Sequence, residues 1–315
     1  MTIAIKTNSK PPTKRKLRFG IALGGGVARG WAHIGVLKAL VDADLAPDII
    51  TGTSIGALVG GCFAAGKLKE LEEFALSLTK RRILGLLDLS LSGAGLISGD
   101  RLKKLLDDHL HHITFEQLPL QFAAIATEYG TGHEVWLKKG DLIEAIRASY
   151  ALPGVFTPVK VGEKWLMDGA LVNPIPVTAA RAMGADIVAC VALNMDVKSR
   201  GVTIQAYVPH ENAVNAAAAI ISEGSLGGAL SLWRRLIGQK NGSPGLAAVM
   251  IDAFNITQDR ISRSRLAGDP PDIMIAPRLH HIGLFEFHRA QEAIKLGYEA
   301  VQRISEDLKS LVNNE

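Results

Sequence analysis

The apolar residues of this chain fall into two alternating rhythms. Short, mostly apolar runs at Leu17 to Leu23, Asp48 to Thr51, Phe122 to Thr127 and Ile187 to Leu193 are too brief for helices. The last of them is continuously apolar, the pattern of a strand covered on both faces in a parallel sheet. Between these runs lie stretches of helical character: one reaching about Ala43, a small-residue helix over Ala57 to Ala65, and one near Asp100 to His109. Two more are Leu142 to Ser149, closed by Leu152-Pro153-Gly154, and Pro176 to Met183, capped by Gly184. Glu134 to Leu137 reads as a short paired strand, and Lys164 to Gly169 as a strand with its turn. Strands alternating with amphipathic helices predict an α/β fold, a mainly parallel sheet between two helical layers.

After about residue 208 the rhythm changes. The chain becomes rich in alanine and leucine with little strand signal, and it is broken at Asn241-Gly242-Ser243-Pro244-Gly245. Strand character returns at Pro271 to Pro277, and a final helix is predicted from Phe287 to Leu311. The expected organisation is a basic flexible tail over 1–18, a core over 19–208, a helical insertion over 209–270, and a returning strand and C-terminal helix over 271–315. No internal repeat or low-complexity tract appears.

The composition, 48% hydrophobic and 21% charged over 315 residues, suits a globular protein with a large core. The charge-free stretch Ile49 to Gly66 is interrupted by Gly52, Gly56, Gly60 and Gly61 and reads as a buried strand and helix. It is not a membrane span, which needs about 20 apolar residues. No apolar signal-peptide core stands at the N-terminus. Cys62 and Cys190, the two cysteines, lie in apolar runs and read as reduced buried thiols. An intracellular, cytoplasmic setting follows as an expectation. Net charge is +4, much of it from Lys10, Lys14, Arg15, Lys16 and Arg18. Such an arm suits weak attraction to the inner face of an anionic membrane, and no nucleic-acid partner is expected.

Candidate chemistry begins at Gly52-Thr53-Ser54-Ile55-Gly56. A serine on a sharp strand-to-helix turn presents its hydroxyl outward, with glycines at positions where the chain must pass closely. The new helix's backbone N–H groups face that serine, where they can stabilise a developing anion. One βα unit earlier stands Gly24-Gly25-Gly26-Val27-Ala28-Arg29-Gly30. Read as a dinucleotide loop from Gly24, its sixth position is Arg29 and not glycine; read as a P-loop, it lacks the Gly-Lys-Ser/Thr ending. An oxyanion hole built from Gly24, Gly25 and Gly26 fits better, with Arg29 and Gly30 supporting the loop.

A serine hydroxyl needs a base. None of the nine histidines stands in a convincing strand-end loop. His33 reads as a packed helix residue, and His109, His111 and His112 as a surface cluster. No paired cysteines or H-x-x-x-H spacing marks a zinc site, and no metal or cofactor is expected. Asp168, in Asp168-Gly169-Ala170 at a predicted strand end, is the remaining candidate for a serine–aspartate dyad.

Taken in order, Gly24-Gly25-Gly26-x-x-Arg29-Gly30, Gly52-Thr53-Ser54-Ile55-Gly56 and Asp168-Gly169-Ala170 resemble the patatin-like phospholipase family. The text around them, including Arg147-Ala148-Ser149 and Val172-Asn173-Pro174-Ile175-Pro176, is similar to the bacterial branch related to neuropathy target esterase. The resemblance implies the patatin-like three-layer fold. It also implies acyl-ester hydrolysis, with Ser54 as nucleophile, Asp168 as general base and acid, and the glycine loop holding the oxyanion. Phospholipid, lysophospholipid or other fatty-acyl esters would be the substrates, met by transient contact with a membrane surface; oligomeric state stays open. A patatin-fold regulatory or lipid-binding protein with low turnover is the alternative.

Overall fold

A computed structural model describes residues 17–86, 95–97, 100–110, 113–194 and 246–313. The first half runs β1 (Phe19–Leu23), α1 (Ala32–Asp42), β2 (Ile49–Thr53), α2 (Ile55–Ala64), α3 (Leu68–Leu76), α4 (Lys80–Leu86), β3 (Gly95–Ile97) and α5 (Asp100–Leu110). Then come β4 (Gln121–Glu128), β5 (Glu134–Leu137), α6 (Leu142–Tyr150), β6 (Gly154–Phe156), β7 (Val159–Val161), β8 (Lys164–Asp168), α7 (Val177–Ala182) and β9 (Ile187–Val191). The described chain closes with α8 (Leu246–Gly268), β10 (Ile273–Ile275), α9 (Ala290–Gln302) and α10 (Ser305–Asn313).

The main sheet has the order β10-β9-β1-β2-β4-β8-β7, with β5 also on β4. Its β10, β9, β1, β2 and β4 are mutually parallel, while β5 and β8 join β4 antiparallel. The two-residue period sorts the side chains. Ile21, Leu23, Ala189 and Val191 pack with α1, α2 and α9, whereas Ala22, Val188 and Cys190 pack with Ala180 of α7 and Leu266 of α8. Each fully buried leucine or isoleucine contributes about 1.5–3 kcal/mol. The mixed α/β architecture is therefore three layers, as expected. Because β10 extends this sheet beside β9, the C-terminal part belongs to the same layer as the N-terminal strands.

Three details depart from the sequence reading. β2 continues through Gly52 and Thr53, two residues past the expected end, because Gly52 pairs with both Leu23 and Ala124. The final helix bends at Arg303 and Ile304, which returns Leu308 of α10 to the core with no exposed surface. Arg18, placed in the flexible tail, is tied down: its backbone N–H donates to Asp186 Oδ2 at 2.8 Å. The other tail lysines and arginine, residues 209–245 of the insertion, and His111 and His112 lie outside the described residues. Among the described residues no helix is long and apolar enough to cross a membrane.

Candidate active site

Strand register brings the two candidate residues together. On β4, Ala124 and Ile125 pair with Gly52 and Thr53 of β2 on one edge and with Leu137 and Trp136 of β5 on the other. Ala126 pairs with Val135 of β5 and with Asp168 of β8. So β8 takes over the β4 edge that β2 leaves. Ser54 departs from the sheet one position after Thr53, beside the point where Asp168 enters it. Ser54 Oγ donates to Asp168 Oδ2 at 2.7 Å.

The chain turns from β2 into α2 at a single residue. Ser54 has φ 57° and ψ −124°, a conformation that costs a non-glycine residue roughly 1–3 kcal/mol. The surroundings hold it there. Its N–H donates to Ser149 Oγ at 2.9 Å, and that hydroxyl donates to the Ile125 carbonyl at 2.6 Å. A side chain on Gly52 would overlap the Gly56 carbonyl, and one on Gly56 the Leu23 carbonyl, so α2 backs directly onto two strands. Gly169 meets the Ile125 carbonyl in the same way. Ser149 holds this turn, and sequence reasoning left it without a role, although it stands in one of the matching stretches.

Asp168 is 1% exposed. Its Oδ1 accepts from the Ala170 N–H at 2.8 Å, and Thr127 Oγ1 donates to its backbone carbonyl at 2.8 Å. Burial raises its pKa from 3.8 to about 7, against the opposing pull of the Ser54 and Ala170 hydrogen bonds. A carboxyl that changes charge near neutrality is suited to take a proton and return it.

The glycine loop sits beside this pair, at the C-terminal ends of the parallel strands. Its backbone corrects one expectation. Gly24 N–H donates to Val191 O at 3.2 Å and Gly25 N–H to Pro174 O at 3.0 Å, so neither amide faces a ligand. The chain needs those bonds to hold the loop against β9 and the Asn173–Pro176 segment. Gly26 and Val27 have no such partners among the described residues, and both line the cavity that contains Ser54 and Asp168. Arg29 fixes the loop, Nε to Ile282 O at 2.8 Å and a guanidinium NH2 group to Asn194 Oδ1 at 3.1 Å. Gly30 lets the chain lie against Ile55, where a side chain would collide. His33 is fully buried and bonds Gly24 O through Nε2 at 2.7 Å. Burial lowers its pKa to about 4, so it is neutral at pH 7 and supports the loop.

A cavity of about 170 Å³ opens over Ser54. One wall is Trp31, meeting Phe74 and Phe287 edge-on at 6.4 and 6.2 Å; another is Tyr150 against Phe156 at 5.4 Å. Leu58, Leu78 and Ile83 complete a strongly apolar lining, and α8 contributes Phe254 and Gln258. The arrangement sets a hydroxyl, hydrogen-bonded to a buried carboxyl, beside an apolar slot. Among the described residues no cluster of histidine, cysteine, aspartate or glutamate is placed to hold a metal ion.

A family model described as patatin-like phospholipase matches residues 21–181. An uncharacterized NTE family protein of Mycobacterium tuberculosis strain H37Rv is 33% identical over 320 positions, covering 89% of each chain. The mouse patatin-like phospholipase domain-containing protein 6 is 34% identical over 178 residues, 54% of this chain and 13% of its own length. Among solved structures, VipD from Legionella pneumophila superimposes with a TM-score of 0.56 at 15% identity, over 93% of this chain and 67% of that one.

Proposed function

The chain belongs to the patatin-like phospholipase family, and from that premise we propose that it is a serine hydrolase of fatty-acyl esters, with phospholipid or lysophospholipid as substrate. The observation that carries this reading is the 2.7 Å hydrogen bond from Ser54 Oγ to Asp168 Oδ2 at the base of an apolar cavity.

The acyl chain enters the cavity and brings its ester carbonyl to Ser54. As Oγ attacks the carbonyl carbon, its proton passes to Asp168. The carbonyl oxygen takes up negative charge toward the Gly26 and Val27 amides, a contribution of about 3 kcal/mol per donor in comparable sites. The intermediate collapses, the C–O bond to the alcohol breaks, and Asp168 returns the proton to the departing oxygen. Water, deprotonated by the same carboxylate, then releases the fatty acid and restores Ser54. Substrates of this kind lie in bilayers or micelles, so the protein would meet them by transient contact with a membrane surface.

The test is covalent labelling with a fluorophosphonate together with hydrolysis of a fatty-acyl ester. Ser54→Ala abolishes both and keeps the wild-type melting temperature. Asp168→Asn, which cannot accept the proton, lowers turnover by about 10⁴-fold or more, on the scale of losing the proton acceptor in other serine hydrolases. Turnover by folded Ser54→Ala overturns the nucleophile, and unlabelled, inert wild type overturns the reading.

A further inference from the structure

Gln258 is a polar residue in the wrong place for packing. It is 4% exposed, yet lines an otherwise apolar cavity together with Ser54 and Asp168. Its side-chain amide has no hydrogen-bond partner among the described residues. Its amide atoms are not among the fully enclosed polar atoms that lack a partner; they open onto the cavity, where a ligand can meet them. The place it occupies is defined by Gly25. A side chain beginning there would stand 3.6 Å from Ser54 Cβ and 3.8 Å from Gln258 Oε1, with Ala170 Cβ at 3.5 Å and nothing nearer. Gly25 thus leaves room for about one methyl-sized group, bounded by the serine on one hand and the glutamine on the other.

We infer that Gln258 is a substrate-contacting donor of this site: its side-chain N–H binds the ester carbonyl oxygen and tightens on it as that oxygen becomes an oxyanion. The inference rests on the hydrolase reading above and adds a residue from outside the glycine loop. It answers the shortage of donors left when the Gly24 and Gly25 amides are turned to carbonyls of their own chain. Rotation about the terminal torsion, a soft one in glutamine, exchanges Oε1 for Nε2 at the cavity face with little change in shape.

α8 is anchored well enough to aim such a group. Phe254, Gln258, Ser262 and Leu266 recur every four residues and form its inward row, with Gln258, Ser262 and Leu266 buried. Seven residues beyond Gln258, two helical turns along the same side, Arg265 donates to Glu134 Oε2 at 2.8 Å. The other oxygen of Glu134 accepts from Trp136 Nε1 and from Asn173 Nδ2, each at 2.7 Å. Asn173 follows the Asp168 turn, and its backbone N–H donates to Gly169 O at 2.9 Å. One carboxylate therefore ties the helix that carries Gln258 to the turn that carries Asp168.

The experiment compares full-length wild type with Gln258→Met and Gln258→Glu, both close to the native volume. It measures kcat and KM on a p-nitrophenyl fatty-acyl ester, the rate of fluorophosphonate inactivation, and melting temperature. Expected are a fall in kcat of about 10²-fold for Gln258→Met with KM within threefold, and a parallel fall in inactivation rate. Gln258→Met melts at or above the wild-type temperature. Gln258→Glu loses more, and its loss grows as pH rises and the new carboxylate ionises. Turnover of Gln258→Met within threefold of wild type, or a loss confined to KM, overturns the inference while leaving the hydrolase reading intact. A loss that merely tracks melting temperature in both variants does the same. Wild type that neither hydrolyses the ester nor reacts with the probe overturns both.

Discussion

Two strand-to-helix turns stand side by side at the C-terminal edge of the sheet, both glycine-rich, and Gly25 of one serves another purpose than Gly52 and Gly56 of the other. In the β2–α2 turn, Gly52 and Gly56 are crowded out of side chains: any Cβ would sit inside a backbone carbonyl, because the helix presses onto its own strand and on β1. In the β1–α1 turn, Gly25 has room for a methyl in ordinary contact, with Ala170, Ser54 and Gln258 atoms at 3.5–3.8 Å from a Cβ placed there. The first turn needs glycine to exist. In the second, Gly24, Gly26 and Gly30 are crowded too, at 2.2–2.9 Å, and Gly25 is the glycine where a side chain fits and the room serves something else. A glycine pattern read from sequence therefore mixes two demands, one of the fold and one of the ligand.

The comparison breaks most readily at Gly56. Gly56→Ala is expected to lose about 4 kcal/mol or more, enough to leave little folded protein, because the atom it meets is backbone and cannot swing aside. Soluble Gly56→Ala with a wild-type thermal melt would remove crowding as the reason for that glycine.

The next effect concerns what the crowded turn holds against itself. Burial raises Asp168 from 3.8 to about 7, so the native state keeps a proton that the unfolded chain gives up above about pH 4. That stability is full at low pH and is lost as pH rises through 7. His33, lowered to about 4, behaves in the opposite sense, losing stability as pH falls below 6.5. In wild type the two slopes oppose each other between about pH 4 and 6.5. In Asp168→Asn only the histidine slope remains, so stability climbs with pH across that window. Relative to wild type, the variant gains up to about 4 kcal/mol between pH 4 and 8. Denaturant melts at a series of pH values check this, and parallel curves would refute it. In wild type kcat/KM rises with pH through about 7, as the carboxylate ionises.

Gly25→Ala sharpens the contrast directly. Its new methyl makes only ordinary contacts, so stability shifts by less than about 0.5 kcal/mol. It intrudes on the space between Ser54 and Gln258, so ester hydrolysis falls about 10–100-fold. Full activity would mean that the room at Gly25 has no use. The smallest effect is expected from Arg265→Ala. Its ion pair with Glu134 is partly exposed, at 38% and 18%, and is worth at most about 1 kcal/mol. Hydrolysis falls severalfold as α8 loosens, seen as a lower kcat with little change in melting temperature.

What could be read from sequence is what is local. The three motifs stand out because a tight turn and a close approach constrain residue type within five or six positions; Ser54 and Arg29 were singled out that way, whereas Asp168 was the base that remained once the histidines were set aside. The α/β architecture followed from short apolar runs separated by helical stretches. Three-residue strands such as β3, β6 and β7 carry no periodicity and were missed. Amide direction in the glycine loop was misread, since whether Gly24 and Gly25 point at a ligand or at Val191 and Pro174 depends on segments some 150 residues away. Gln258 was invisible for a similar reason: one glutamine on a helix means nothing until Gly25 and Ser54 lie beneath it.

The handover of the β4 edge from β2 to β8 has a consequence in time. Ser54 and Asp168 are 114 positions apart in the chain, and only the pairing of β8 with β4 brings them within a hydrogen bond. Closing so long a loop is slow compared with forming a helix such as α2. A slip of β8 by one residue would turn Asp168 to the other face of the sheet. On dilution from denaturant, ester hydrolysis should therefore return later than the helical circular dichroism signal, because the serine is in position before there is a base to draw its proton.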